Sequence, residues 1–162
     1  MSVNLKPNLQ LQPPIPFTLV PALPEDLEAL VAIRIAAMRD SLERIGRFDP
    51  LRARERLLAS FSAAHTRHIM LGAVHVGFIT LKPQDGSLLL DHFYLLPASQ
   101  RRGLGSAVLR QIVAEADALA LPLRVTALRD SGANRFYLRH GFQLSSTEEF
   151  DNHYLRPVKC LF

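Results

Sequence analysis

Asp91-His92-Phe93-Tyr94-Leu95-Leu96-Pro97-Ala98-Ser99-Gln100-Arg101-Arg102-Gly103-Leu104-Gly105-Ser106 is the stretch on which the reading of this chain turns. Phe93 to Leu96 is an apolar strand, Pro97 ends it, and from Ser106 to Leu119 the apolar positions Val108, Leu109, Ile112 and Val113 recur at helical spacing. A strand that runs through a glycine-bearing loop into a helix leaves several backbone N–H groups without intrahelical acceptors, with the positive end of the helix dipole behind them. That is an anion cradle. Gly103 and Gly105 let the backbone bend and approach a ligand closely, and Arg101 and Arg102 add charge for phosphate oxygens.

Two familiar phosphate loops do not fit. A dinucleotide fingerprint needs Gly or Ala three residues after Gly105, where Val108 stands; a P-loop needs Gly-Lys-Ser/Thr, and no lysine lies between Lys82 and Lys159. Gln100-x-x-Gly103-x-Gly105 after a strand ending Leu-Leu-Pro instead resembles the pyrophosphate-binding motif of the GNAT superfamily of acyl-CoA-dependent N-acyltransferases. It follows the family pattern Gln/Arg-x-x-Gly-x-Gly/Ala at every position. A second stretch, Asn134-x-x-Tyr137 before His140-Gly141-Phe142, is similar to the family's pattern in the helix that closes the acyl-CoA site.

The rest of the chain reads as support for this loop. With 162 residues, 48% hydrophobic and 21% charged, it suits one globular domain with a substantial core. Apolar runs are only a few residues long, so no membrane span is expected, and the start lacks a hydrophobic signal core, which points to the cytoplasm. Cys160 is the only cysteine, which excludes an intrachain disulfide and a cysteine-based metal cluster. The six histidines are scattered, and no His/Asp/Glu spacing suggests a metal. A net charge of +4, with no basic stripe interleaved with aromatics, does not suggest nucleic acid; an anionic co-substrate accounts for it.

Residues 1–16 carry Pro7, Pro13, Pro14 and Pro16 and read as an extended N-terminal arm, leaving 17–162 as the domain. Phe17 to Val20 reads as a strand. Pro24-Glu25-Asp26 starts a helix that Gly46 stops, and Asp49-Pro50 caps a second one to Phe61. Strands follow at about His68–Leu71, Val74–Leu81 and Ser87–Leu96, with turns at Gly72 and Pro83-Gln84-Asp85-Gly86. After the long helix come a strand from Leu121 to Leu128, a short helix stopped by Gly141, and two last strands meeting at Asp151-Asn152. The order is β-α-α-β-β-β-α-β-α-β-β: an α/β (α+β) fold with a mixed sheet of about six to seven strands. This is also the order of the GNAT fold.

The resemblance implies acetyl-CoA as co-substrate and a primary amine as acceptor, with no metal. It implies that the backbone from Gln100 through Arg101, Arg102, Gly103, Leu104 and Gly105 to Ser106 holds the diphosphate. It also implies that the backbone of Leu95 and Leu96 pairs with the pantetheine arm, that Asn134 orients a pantetheine amide, and that Tyr137 protonates the departing thiolate. A phenol with an unperturbed pKa near 10 suits that task. For the base, Asp91, His92 and a chain of water are the candidates. Adjacent strand residues face opposite sides, so one of them looks into the cleft, with His92 favoured. The joint of the first two helices (Arg39, Asp40, Glu43, Arg44, Arg47) and the acidic group Glu148, Glu149 and Asp151 would border the acceptor channel. The apolar end Cys160-Leu161-Phe162 would suit a homodimer edge. A sensor that binds acyl-CoA without turnover and an enzyme using a longer acyl donor are the rival readings.

Overall fold

A computed structural model describes residues 16–159. The N-terminal arm, apart from Pro16, and the Cys160–Phe162 edge lie outside these described residues. The elements are β1 (Thr18–Pro21), α1 (Leu27–Arg44), α2 (Pro50–Ser60), β2 (Thr66–Leu71), β3 (Val74–Gln84), β4 (Ser87–Leu95), α3 (Leu104–Ala118), β5 (Leu123–Leu128), α4 (Ala133–Arg139), β6 (Gln143–Thr147) and β7 (Asp151–Arg156). Seven strands form one sheet in the order β1-β2-β3-β4-β5-β7-β6, with β4 and β5 parallel and every other neighbouring pair antiparallel. This is the mixed sheet and element order read from the sequence.

Local chemistry explains the boundaries. Pro24 opens a 3-10 turn ahead of α1, and Asp49 caps α2 by accepting from the Arg52 amide. Gly103, at φ +80°, opens α3 two residues earlier than the apolar spacing indicates. Two turns fall elsewhere than expected. Pro83 and Gln84 extend β3, and Asp85-Gly86 alone makes the hairpin, both at positive φ, as a tight two-residue turn requires. At the other end Asp151 and Asn152 belong to β7 rather than to the turn. The chain reverses through Glu148, Glu149 and Phe150, closed by Glu148 N–H donating to the Asp151 carbonyl, while Arg129 donates to the carbonyls of Glu148 and Glu149.

The sheet has a core on each face. Val108, Leu109 and Ile112 of α3 bury against Ile69, Ile79, Leu88, Leu90, Leu123 and Val125; on the other face Leu30, Val31 and Ile33 of α1 and Leu57 of α2 enclose Phe78. The side chains of β4 change faces part-way along. Thr80 pairs with His92 but Leu81 pairs with Leu90, so Asp91 is the extra residue of a β-bulge. Leu88 and Leu90 lie in the α3 core before the bulge, and Leu95, with Phe93 against it, lies there after it; Tyr94 and Leu96 pack on the α1 side.

Beyond the bulge, β3 and β4 come unusually close at Gly77, where a Cβ would overlap the Tyr94 carbonyl oxygen and sit 2.9 Å from Leu95 Cδ2. Backbone cannot yield there as a surface side chain could. Gly77→Ala should lower stability by about 1–3 kcal/mol, read as a lower urea midpoint with an unchanged m-value; an unaltered midpoint would show that the seam is loose.

Candidate functional site

The parallel pairing of β4 with β5 lasts only from Leu88–Leu123 to Leu90–Val125. From Asp91 onward β4 keeps β3 as its partner and parts from β5, which is held on its other side by β7. Backbone N–H and C=O groups on the β4 edge therefore face a wedge instead of a strand. The wedge widens into a cleft of about 910 Å³, walled by the ends of β4 and β5, the start of α3, one face of α4 and the last two turns of α1.

At one end lies the cradle. Arg101, at φ +63°, and Gly103, at +80°, are left-handed, which turns successive amides toward a common point. Among the described residues, none of the six amides from Arg101 to Ser106 has a hydrogen-bond acceptor, and the first bond of the helix is Ala107 N–H to Gly103 O. Gln100, Arg101, Gly103, Gly105 and Ser106 are on the cleft wall. The Gln100 side chain is spent internally, donating to Leu95 O at 2.8 Å, so it fixes where the loop leaves the strand. Leu104 is buried in the core, and Arg102 and Leu96 are not on the wall; Leu96 donates its amide to Val76 O. Gly105 has ordinary helical geometry, and a Cβ there would meet Leu95 and Phe136 only at 3.6 Å, so its value is close approach by a ligand.

Tyr137 of α4 reaches the wall of the same cleft, its ring packed on Phe136, Phe142 and Tyr154. Its hydroxyl has no partner among the described residues. Burial, with a smaller contribution from Tyr94, pushes the phenol well above its ordinary value, which keeps the proton on at neutral pH. Asn134, one turn earlier, is absent from the wall. It donates to Leu128 O and Ser131 O at 2.9 Å and accepts from Asn152 Nδ2 and Tyr154 Oη, so its amide is saturated by protein. The Asn134 side chain thereby ties α4 to β5 and β7.

The pair Asp91 and His92 also departs from expectation. The bulge cancels the alternation that would have put them on opposite faces, and both reach the Ser60 end of α2. Lys82 Nζ binds Asp91 Oδ2 and the Ser60 carbonyl, and His92 Nε2 lies 2.9 Å from Ser60 Oγ and 3.5 Å from Asp91 Oδ2. Asp91 is on the cleft wall and His92 is behind it, 6% exposed, with Nδ1 unpartnered. Burial lowers the His92 pKa to about 4, against the attraction of Asp91 and together with Arg34 and Lys82.

Three wall residues escaped the sequence reading. Phe93 and Phe136 stack at 6.2 Å across the wedge, and Tyr94 is a second, half-buried phenol, its pKa raised by desolvation. Their side-chain types carry no signal; the bulge decides which of Phe93 and Tyr94 turns toward α3, and Phe136 meets Phe93 from α4. From α1, Asp40 and Arg44 line the far end, with Ala37, Met38 and Ser41, whereas Glu148, Glu149 and Asp151 do not. Arg47 instead stacks 3.7 Å over Phe150, bringing the helix joint against the last hairpin turn. Among the described residues no group of His, Cys, Asp and Glu is placed to hold a metal, and no helix is long and apolar enough to cross a membrane.

Residues 65–144 match the family model described as an acetyltransferase (GNAT) domain, which spans the cradle, the wedge and α4. Solved structures of similar fold include PaiA N-acetyltransferase from Thermoplasma acidophilum in complex with coenzyme A, with a TM-score of 0.68 at 17% identity over 88% of this chain and 99% of that one. An acetyltransferase from Thermus thermophilus gives 0.71 at 20% over 90% and 99%. The ribosomal-protein-S18-alanine N-acetyltransferase from Escherichia coli gives 0.68 at 17% over 91% and 97%. No curated protein matches the sequence.

His92 supplies a test of the site's electrostatics. The unfolded chain takes up this proton near pH 6.5, the folded one only near 4, so between those values the unfolded state binds more protons and stability rises with pH. Acidification through that window should remove on the order of 3 kcal/mol through this group. His92→Gln, which keeps a donor toward Ser60, should flatten the slope of unfolding free energy against pH; parallel slopes would mean that His92 is not held neutral.

Proposed function

The chain belongs to the GNAT superfamily, and on that premise we propose that it is an N-acetyltransferase that moves the acetyl group of acetyl-CoA to a primary amine by direct attack. One observation carries this reading: six amides without an acceptor among the described residues, Arg101 to Ser106, stand at the mouth of a wedge whose wall includes Tyr137, a phenol with no hydrogen-bond partner among them. The first feature suits a diphosphate, and the second suits a thiolate leaving group.

In this reading the amides hold the diphosphate, with Arg101 and Arg139 on the same wall contributing charge. The β4 edge beyond Leu90 pairs with the pantetheine arm, and a backbone donor there receives the oxyanion of the tetrahedral intermediate. The amine enters from the α1 end. Asp91, the acid of the pair that reaches the wall, takes the proton the nitrogen must lose, directly or through water; His92 and Lys82 behind it set its position and charge. Attack forms the C–N bond, collapse breaks the C–S bond, and Tyr137 gives its proton to sulfur. No covalent enzyme intermediate is needed. Asp40 adds negative charge where a cationic amine would enter.

The assay is thiol release from acetyl-CoA over a panel of small amines, amino-acid-like metabolites and peptide N-termini. Tyr137→Phe should lower kcat by about a hundredfold while the KM for acetyl-CoA moves by no more than about twofold. Unchanged turnover would remove Tyr137 from the chemistry. Binding of coenzyme A without thiol release for any amine would instead favour a sensor.

A further inference from the structure

Ser106 carries the last of the six amides that lack an acceptor among the described residues, and it is a residue of the cleft wall. Its hydroxyl is not free of the protein: Oγ lies 3.0 Å from Nε2 of His140, the residue that ends α4. His140 Nδ1 has no partner among the described residues, and the ring is held by Phe136 at 4.8 Å. The contact joins the helix bearing the cradle to the helix bearing Tyr137.

We propose that His140 is a positioning residue for the bound diphosphate: it donates from Nε2 to Ser106 Oγ, and so leaves the Ser106 O–H free to donate a hydrogen bond to a phosphate oxygen. This rests on the cradle reading above. The geometry leaves two arrangements of one hydrogen bond. With the proton on Nδ1, His140 Nε2 accepts from Ser106, and the serine turns lone pairs toward the cradle, where an anion would be repelled. With the proton on Nε2, the serine accepts from histidine and its own O–H points outward as a donor. Both the neutral Nε2–H form and the imidazolium give the second arrangement, and the imidazolium adds a charge. A bound diphosphate therefore selects these forms.

The pH dependence follows. The charged groups acting on His140 are Arg110 of α3 and Arg139 of α4; with burial as the first cause, they hold its pKa below the ordinary histidine value, so the free protein carries it neutral at neutral pH. A diphosphate offsets the arginine field and favours the imidazolium, so binding raises that pKa. By linkage, affinity must increase as pH falls toward it.

The probe is 3′-dephospho-coenzyme A, whose diphosphate diester has no ionisation in the range of interest, with pantetheine as the control lacking phosphate. Calorimetry from about pH 7.5 to about 5.5 should show the dephospho compound binding the wild type more tightly as pH falls, and pantetheine should show no trend. His140→Phe keeps a packed ring but no donor, and should weaken binding about tenfold and flatten the profile. His140→Gln, which keeps a donor near Nε2 and no titration, should bind like the wild type at neutral pH with a flat profile. Ser106→Ala should be non-additive with His140→Phe. In the wild type, imidazole 15N spectra should show the Nε2–H form and a raised titration midpoint for His140 on binding, a readout that needs no variant. If the dephospho compound binds but His140 keeps its midpoint and His140→Phe binds within about twofold, this inference is wrong and the cradle stands. If the wild type does not bind it at any pH, the cradle reading itself fails, and this one with it.

Discussion

A strand that loses its neighbour is the constraint around which this protein is built. Beyond Leu90, β4 has one partner instead of two. Buried backbone N–H and C=O groups without partners are costly, so such an edge persists only where ligand, water or side chain meets it. Here Gln100 meets the Leu95 carbonyl, and the Phe93–Phe136 stack fills the apolar part of the gap. The bulge at Asp91 bends β4 away from β5, while Gly77 lets β3 follow closely enough to keep the bent segment attached to the sheet.

The opening in the sheet and the cradle are one structural event. A parallel strand pair needs a crossover, and the crossover here is α3, whose first turn must begin where β4 ends. Placing the amide-rich start of the helix at the lip of the wedge gives one cleft an anion-binding end and an edge of unpaired backbone. Charge follows the same axis. Arg101 and Arg139 are on the wall with the cradle, whereas the part reached by α1 carries both signs, Asp91 and Asp40 beside Arg44. A molecule that is anionic at one end matches the cradle, and the two carboxylates at the other end suit the approach of an amine that gives up a proton before it attacks.

Sequence periodicity exposed most of this. The element order, the seven-stranded sheet and the loop from Gln100 to Ser106 were legible because glycines, prolines and apolar spacing are local signals. What periodicity missed is the bulge. One extra residue in β4 reverses the facing of everything after it, so an argument from alternation put Asp91 and His92 on opposite sides when His92 meets Ser60 directly and Asp91 is joined to it through Lys82. The hairpins failed similarly: Asp151-Asn152 looks like a turn dipeptide, yet Asn152 is drawn into β7 by its bond to Asn134 and its pairing with Ala127. A long-range polar contact outweighed a local preference.

Asn134 shows how a residue in a sequence signature can also be bound into the fold around it. A helix of seven residues is too short to be stable by its own hydrogen bonds, and α4 must nevertheless hold Tyr137 at a fixed depth in the cleft. Four hydrogen bonds from one amide side chain supply that fixity: two reach carbonyls before the helix, and two come from β7 and its Tyr154. Tyr154 in turn packs against the Tyr137 ring, so the clamp and the candidate acid share a partner. The spacing of three between Asn134 and Tyr137 is then explained by helix geometry: neighbouring turns put the amide against the sheet and the phenol, one turn on, beside the wedge. Small displacements of a proton donor cost rate steeply, so a fully satisfied clamp behind Tyr137 suits the role proposed for it.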